Sequence, residues 1–162
     1  MTIVRVPLAL RASLAVVIPL TVAGIGPWLV AGRAAWHVGQ PWRLVFLLPM
    51  AAGAALLFTC IVLFAVAGGG TLAPVDPPTH FVAVGPYRFT RNPMYVGVTL
   101  WLVGQALLTS VGTLVWYACI VPVGFHLFVR LVEEPSLRRR FGDAYDTYTQ
   151  RVPRWLGHRR GT

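Results

Sequence analysis

The chain is a series of long apolar stretches separated by short polar ones. Two uncharged runs come first, 12–31 and 44–67, and each can cross the roughly 30 Å hydrocarbon core of a bilayer as a helix. After Arg91 no Asp, Glu, Lys or Arg occurs until Arg130, an interval of 38 residues. One helix of that length would reach about 57 Å at about 1.5 Å per residue, nearly twice the bilayer core. Thr109-Ser110-Val111-Gly112-Thr113 near its middle therefore predicts a tight turn, and the stretch becomes a hairpin with spans at 94–108 and 113–132. The expected fold is all-α: a single integral membrane domain over 1–162, with about four transmembrane helices, a C-terminal helical hairpin and a short cytoplasmic helical tail over 133–162.

Composition sharpens this picture. The 162 residues are 56% hydrophobic and only 12% charged, against roughly 25% charged in soluble domains. Apolar content this high excludes a disordered chain, and the length excludes a large multidomain soluble enzyme. Arg5 and Arg11 precede the first run and would suit a signal peptide. That run exceeds the usual apolar core of roughly 7–15 residues, and no small-x-small cleavage site follows at the right depth, so a retained helix is expected.

All fourteen basic residues are Arg. The absence of Lys fits either little water-facing area or a GC-rich codon usage, and the latter would place the chain in a bacterial inner membrane. With four spans, the N-terminus, the 68–92 loop and the tail share one side. That side carries twelve Arg, whereas the other carries only Arg33 and Arg43. Positive charge is retained on the cytoplasmic side, so both termini are expected there. Topology already accounts for the charge, and nucleic-acid binding is not implied. Cys60 and Cys119 show no disulfide or metal spacing, so neither a disulfide framework nor a metal site is expected.

Polar residues concentrate in two blocks that the hairpin would bring to one depth. The first runs from Gly85 through Pro86-Tyr87-Arg88-Phe89-Thr90-Arg91-Asn92-Pro93-Met94-Tyr95 to Gly97. Asn92 before Pro93 suits a helix start, with the Asn side chain as cap. The second, 130–154, holds Glu133, Glu134, Asp143 and Asp146. Arg130 and Glu134 are spaced to pair on one helical face. Read alone, the charges make an interfacial salt bridge and an anionic-lipid patch. Tyr87, Tyr95, Tyr145, Tyr148 and Trp155 make an interfacial aromatic belt, and Gln105 and His126 make helix–helix hydrogen bonds. Gly68-Gly69-Gly70 and Pro74-Val75-Asp76-Pro77-Pro78 form a flexible link into the first block.

Taken together, the two blocks are more specific. The pattern G-x-Y-x-x-x-R-[HN]-P-x-Y-x-G, a hairpin, then E-E-x-x-L-x-x-x-F-G-x-x-Y-x-x-Y-x-x-x-V-P-R resembles the isoprenylcysteine carboxyl methyltransferase and phospholipid methyltransferase superfamily. It is carried here by Gly85, Tyr87, Arg91 to Pro93, Tyr95 and Gly97, then Glu133, Glu134, Leu137, Phe141, Gly142, Tyr145, Tyr148 and Val152 to Arg154. It covers about half the chain, from residue 79 to residue 155.

The resemblance implies a membrane methyltransferase using S-adenosyl-L-methionine at the cytoplasmic face and a lipophilic acceptor from the bilayer. It implies cofactor contacts from Phe81, Val82, Tyr87, Asn92, Pro93, Met94, Tyr95 and Glu133. Arg130, and Arg154 from the tail, would orient an anionic acceptor. The acceptor expected first is an isoprenylcysteine-type carboxylate, whose methylation needs in-line approach and exclusion of water rather than a base. A phospholipid amine is the alternative, and Glu134 is then the nearest base. One departure is that the family's usual His is Asn92, which can hydrogen-bond an adenine or ribose but cannot carry a proton.

Two further readings differ in class. A steroid-reductase-like membrane enzyme would bind NADPH rather than S-adenosylhomocysteine. A non-enzymatic lipid-binding scaffold would tolerate reversal of Glu133 but not neutralisation of the tail arginines.

Overall fold

A computed structural model describes residues 17, 19, 21–38, 40–67 and 84–156. The link at 68–83, with Phe81 and Val82, lies outside the described residues, as does most of the first apolar run. Every regular element among the described residues is helical.

Five of the helices matter most. After a two-turn 3₁₀ piece at Pro41–Phe46, α1 spans Leu47–Ala67; α2 spans Pro93–Thr109 and α3 Gly112–Phe128. A π-helical turn at Val129–Glu133 leads into α4, Glu134–Phe141, and then α5, Asp143–Arg151. Pro93 opens α2, where its missing N–H costs nothing and its fixed φ suits the first turn. The expected turn is present, with its bounds shifted by a residue. Ser110 adopts φ 57°, and its N–H closes on the Ala106 carbonyl at 2.9 Å. This left-handed stop reverses the chain before Gly112. Pro122 lies inside α3 without ending it.

Two segments are long and apolar enough to cross a membrane, Pro41–Leu63 and Gly112–Phe141, and Pro93–Thr109 is a shorter apolar helix. The hairpin and the second expected run are therefore helical where expected. The first run is different. From residue 21 it is a π-helical turn at Thr21–Ile25 and a short α-helix at Gly26–Ala31, and a 3₁₀ piece at Gly32–Trp36 follows it.

Such irregular turns leave carbonyls outside a regular ladder, and hydrocarbon offers them no water. The hairpin supplies the donors. Trp101 Nε1 donates to Ala23 O at 3.0 Å, Gln105 Nε2 to Ala35 O at 3.1 Å and Tyr117 Oη to Val22 O at 3.0 Å. Around these bonds Val98, Leu102, Ala106, Leu114 and Ala118 bury against Ala23 and Ala35.

The helices α1 and α2 approach closely through glycine. A Cβ on Gly53 would lie 2.5 Å from the Gly97 carbonyl, and one on Gly104 would lie 2.9 Å from the Phe46 carbonyl. The outer faces keep large apolar side chains exposed, among them Leu48, Phe58, Trp116 and Ile120, as a lipid-facing surface would.

Candidate functional site

The site lies at the Arg-rich end of the hairpin, where the segment before α2 meets the end of α3 and the tail. Pro86 starts a 3₁₀ turn at Gly85–Arg88, and residues 90–92 then dock on residues 153–154. Arg91 N–H donates to Pro153 O at 2.9 Å, while Thr90 Oγ1 and Asn92 Nδ2 both donate to Arg154 O, at 3.1 and 2.9 Å. The two blocks are thus joined through backbone carbonyls.

Asn92 does not cap α2 as expected. No side-chain cap is formed there, because the Asn92 amide reaches across to Arg154. Pro93 is fully buried and Met94 packs beside Tyr87 and Cys60.

Tyr95, on the first turn of α2, donates through Oη to Glu133 Oε2 at 2.9 Å. This bond ties the start of the hairpin to its end. The Tyr95 ring also packs on Phe125 at 4.7 Å between centroids and lies edge-on to Trp155 at 6.5 Å.

The expected Arg130–Glu134 pair is absent. The π-helical turn at Val129–Glu133 widens the spiral just where that four-residue spacing would have to hold. Arg130 is exposed. Glu134 instead accepts a bidentate pair from Arg154, Nε at 2.6 Å and Nη2 at 2.7 Å, and a further contact from Arg91 Nη1 at 3.1 Å. The side chains of Arg91 and Glu134 are 7% and 12% exposed. These bonds hold the Arg154 guanidinium above its ordinary pKa. Glu134 is thereby a tie between three segments, with both oxygens committed to guanidiniums. The Nε of Arg91 is buried and makes no hydrogen bond.

Three tyrosines expected in a surface belt are buried instead. Tyr145 is only 2% exposed, and Tyr148 and Val152 pack with it against Leu137 and Phe141. Tyr148 Oη donates to the Tyr87 carbonyl at 2.7 Å, and burial pushes both the Tyr87 and Tyr148 phenols above their usual pKa. The motif spacing already marked these positions; only their place in the interior was missing from it.

His126 and Trp155 were legible only as isolated polar and interfacial residues. Trp155 Nε1 donates to His126 Nδ1 at 3.1 Å, and the rings are stacked with centroids 6.1 Å apart. Both line a groove of about 490 Å³ between α2 and α3, with Val96, Thr99, Leu100, Pro122, Val123 and Leu156. Among the described residues no cluster of three or more His, Cys, Asp or Glu could hold a metal, and both cysteines are free.

The phospholipid methyltransferase family model matches residues 48–144, more than half of the chain, and the chain belongs to that family. The match begins inside α1, so membership reaches further toward the N-terminus than the motif resemblance did. No curated protein and no solved structure matches the chain. Family and fold make it a membrane methyltransferase for lipid-type substrates.

Proposed function

We propose that this member of the phospholipid methyltransferase family transfers a methyl group from S-adenosyl-L-methionine to a carboxylate on a lipophilic acceptor of the isoprenylcysteine type. The observation that carries the reading is the Tyr95–Glu133 hydrogen bond at 2.9 Å, which unites the two motif blocks in one half-buried polar site. The Arg-rich end faces the cytoplasm in this reading, and both termini lie on that side.

The residues present suit the cofactor. Glu133 offers a carboxylate for its ammonium group. The opening turn of α2 offers backbone N–H groups for its carboxylate, and Arg91 Nε is a buried donor still without a partner. Tyr95 offers an aromatic wall for a sulfonium or an adenine, and Asn92 is retained as a cofactor contact on the resemblance. Tyr87, Pro93 and Met94 are retained as cofactor contacts on the same ground. Phe81 and Val82 are retained as cofactor contacts on the resemblance alone. When bound, S-adenosyl-L-methionine supplies an electrophilic methyl group.

The acceptor assignment follows from what the acidic residues are free to do. An amine must lose a proton before it attacks, whereas a carboxylate attacks as it is. Glu134, the expected base for an amine, has both oxygens engaged by Arg91 and Arg154, and this favours the carboxylate. Arg130, exposed in the π-helical turn after α3, remains available to meet an anionic head, while Arg154 acts through Glu134.

The test is methyl transfer by the full chain in lipid nanodiscs, using tritiated S-adenosyl-L-methionine with either a farnesylated thiol carboxylate or phosphatidylethanolamine. Label in an alkali-labile ester of the carboxylate, reduced about a hundredfold in Glu133→Gln, is expected. Alkali-stable label in the amine lipid instead would overturn the carboxylate assignment.

A further inference from the structure

The groove between α2 and α3 has a wall that is apolar except at one end. Its volume, about 490 Å³, is that of a small-molecule site. Val96, Leu100, Pro122 and Val123 line it, and the hydroxyl of Thr99 is spent on the Tyr95 carbonyl at 2.7 Å. At the other end stand His126 and Trp155.

Indole N–H groups only donate, so Nδ1 of His126 must accept, and the proton of the neutral ring sits on Nε2. Nε2 makes no hydrogen bond to any described residue, although His126 lines an otherwise apolar wall. That donor is not among the buried polar atoms left without a partner, so it is accessible to a ligand in the groove. The groove is also one ring away from Glu133, because Tyr95 packs against Trp155 and Phe125 while its hydroxyl holds Glu133.

We infer that His126 sets acceptor specificity: the groove seats the hydrocarbon chain of a lipid carboxylate, and His126 Nε2–H donates to that carboxylate at the groove's end. Trp155 is a positioning residue, which fixes the imidazole tautomer so that a donor, and not a lone pair, meets the lipid head. A protonated amine head, which can only donate, finds no acceptor there. The inference rests on the carboxylate reading of the site.

The test is nitrogen-15 spectroscopy of histidine-labelled full chain in micelles, titrated with hexadecanoate or hexadecylamine. His126 is assigned by its loss in His126→Gln. The expected spectrum has a lone-pair Nδ1 and a protonated Nε2, with the Nε2–H resonance moving on addition of hexadecanoate and not of hexadecylamine. In Trp155→Phe the tautomer preference relaxes. His126→Leu lowers hexadecanoate affinity about tenfold, as loss of one charge-assisted hydrogen bond should, and His126→Gln keeps most of it. A proton on Nδ1, or equal responses to the two lipids, would overturn the inference, and the wild-type spectra decide this even if the leucine variant does not fold. S-adenosylhomocysteine is titrated into the same sample. Binding without carboxylate preference sinks the role of His126 alone, whereas carboxylate preference without binding sinks the methyltransferase reading and leaves the groove.

Discussion

Glu134 shows how a single residue can hold three segments together. Its carboxylate links the start of α4 to Arg91 before α2 and Arg154 after α5. Removing it would strand two guanidiniums, one of them deeply buried. We expect Glu134→Ala to cost about 3 kcal/mol, the scale for breaking one side of a buried pair, read as a fall in midpoint in a thermal melt. Arg154→Lys should lose the bidentate geometry and recover only part of that stability. Tyr148 makes a smaller, pH-dependent contribution. Its phenol is buried and its pKa raised, so the neutral form is favoured by folding. The stability this supplies is complete below the ordinary tyrosine value of about 10 and is lost as pH rises beyond it toward the raised value. Tyr148→Phe should cost about 1 kcal/mol at pH 7 through the bond to the Tyr87 carbonyl. It should also flatten the loss of thermal stability between neutral and strongly alkaline pH; an unchanged alkaline slope would show that other groups govern it.

Among the elements, the contact of α1 with α2 depends on the absence of side-chain atoms. A Cβ at Gly53 meets the Gly97 carbonyl at 2.5 Å and the Trp101 amide at 2.9 Å. Neither partner is a flexible side chain, so the helices must part. Gly53→Ala is expected to destabilise by about 1–3 kcal/mol, the usual cost of overpacking; a melt unchanged by the substitution would mean the helices are not in close contact. The hairpin was legible because an uncharged run too long for one helix must turn, and Thr109 to Thr113 held the turn-forming residues. The irregular helix around Thr21–Trp36 was not legible. Its geometry depends on donors from Trp101, Gln105 and Tyr117, which lie far along the chain and carry no local signal. Asn92 misled for a related reason: a good cap in isolation finds a better partner in Arg154 once the tail folds back.

For the molecule as a whole, the apolar hairpin and the polar tail form one unit. The tail returns to clamp residues 90–92, and this brings Glu133, Tyr95 and the groove to the same end. Motif spacing marked residues that converge here, Tyr95 with Glu133 and Asn92 with Arg154. It did not show which acidic residue stays available, since Glu133 and Glu134 are adjacent in sequence and differ only in their partners. Nor did it pair His126 with Trp155, which are 29 residues apart. The orientation proposed here has its own check. Green fluorescent protein fused after Thr162 should fluoresce in cells and alkaline phosphatase at the same point should be inactive; the opposite pattern would place the tail outside. In the function proposed above, the Tyr95–Glu133 site holds S-adenosyl-L-methionine. The most direct test of this is calorimetric titration of the purified chain with S-adenosylhomocysteine, beside Glu133→Gln. Saturable one-to-one binding is expected, lost or at least tenfold weaker in the variant. A folded wild-type chain that shows no binding, or a variant that binds as well as wild type, would contradict it.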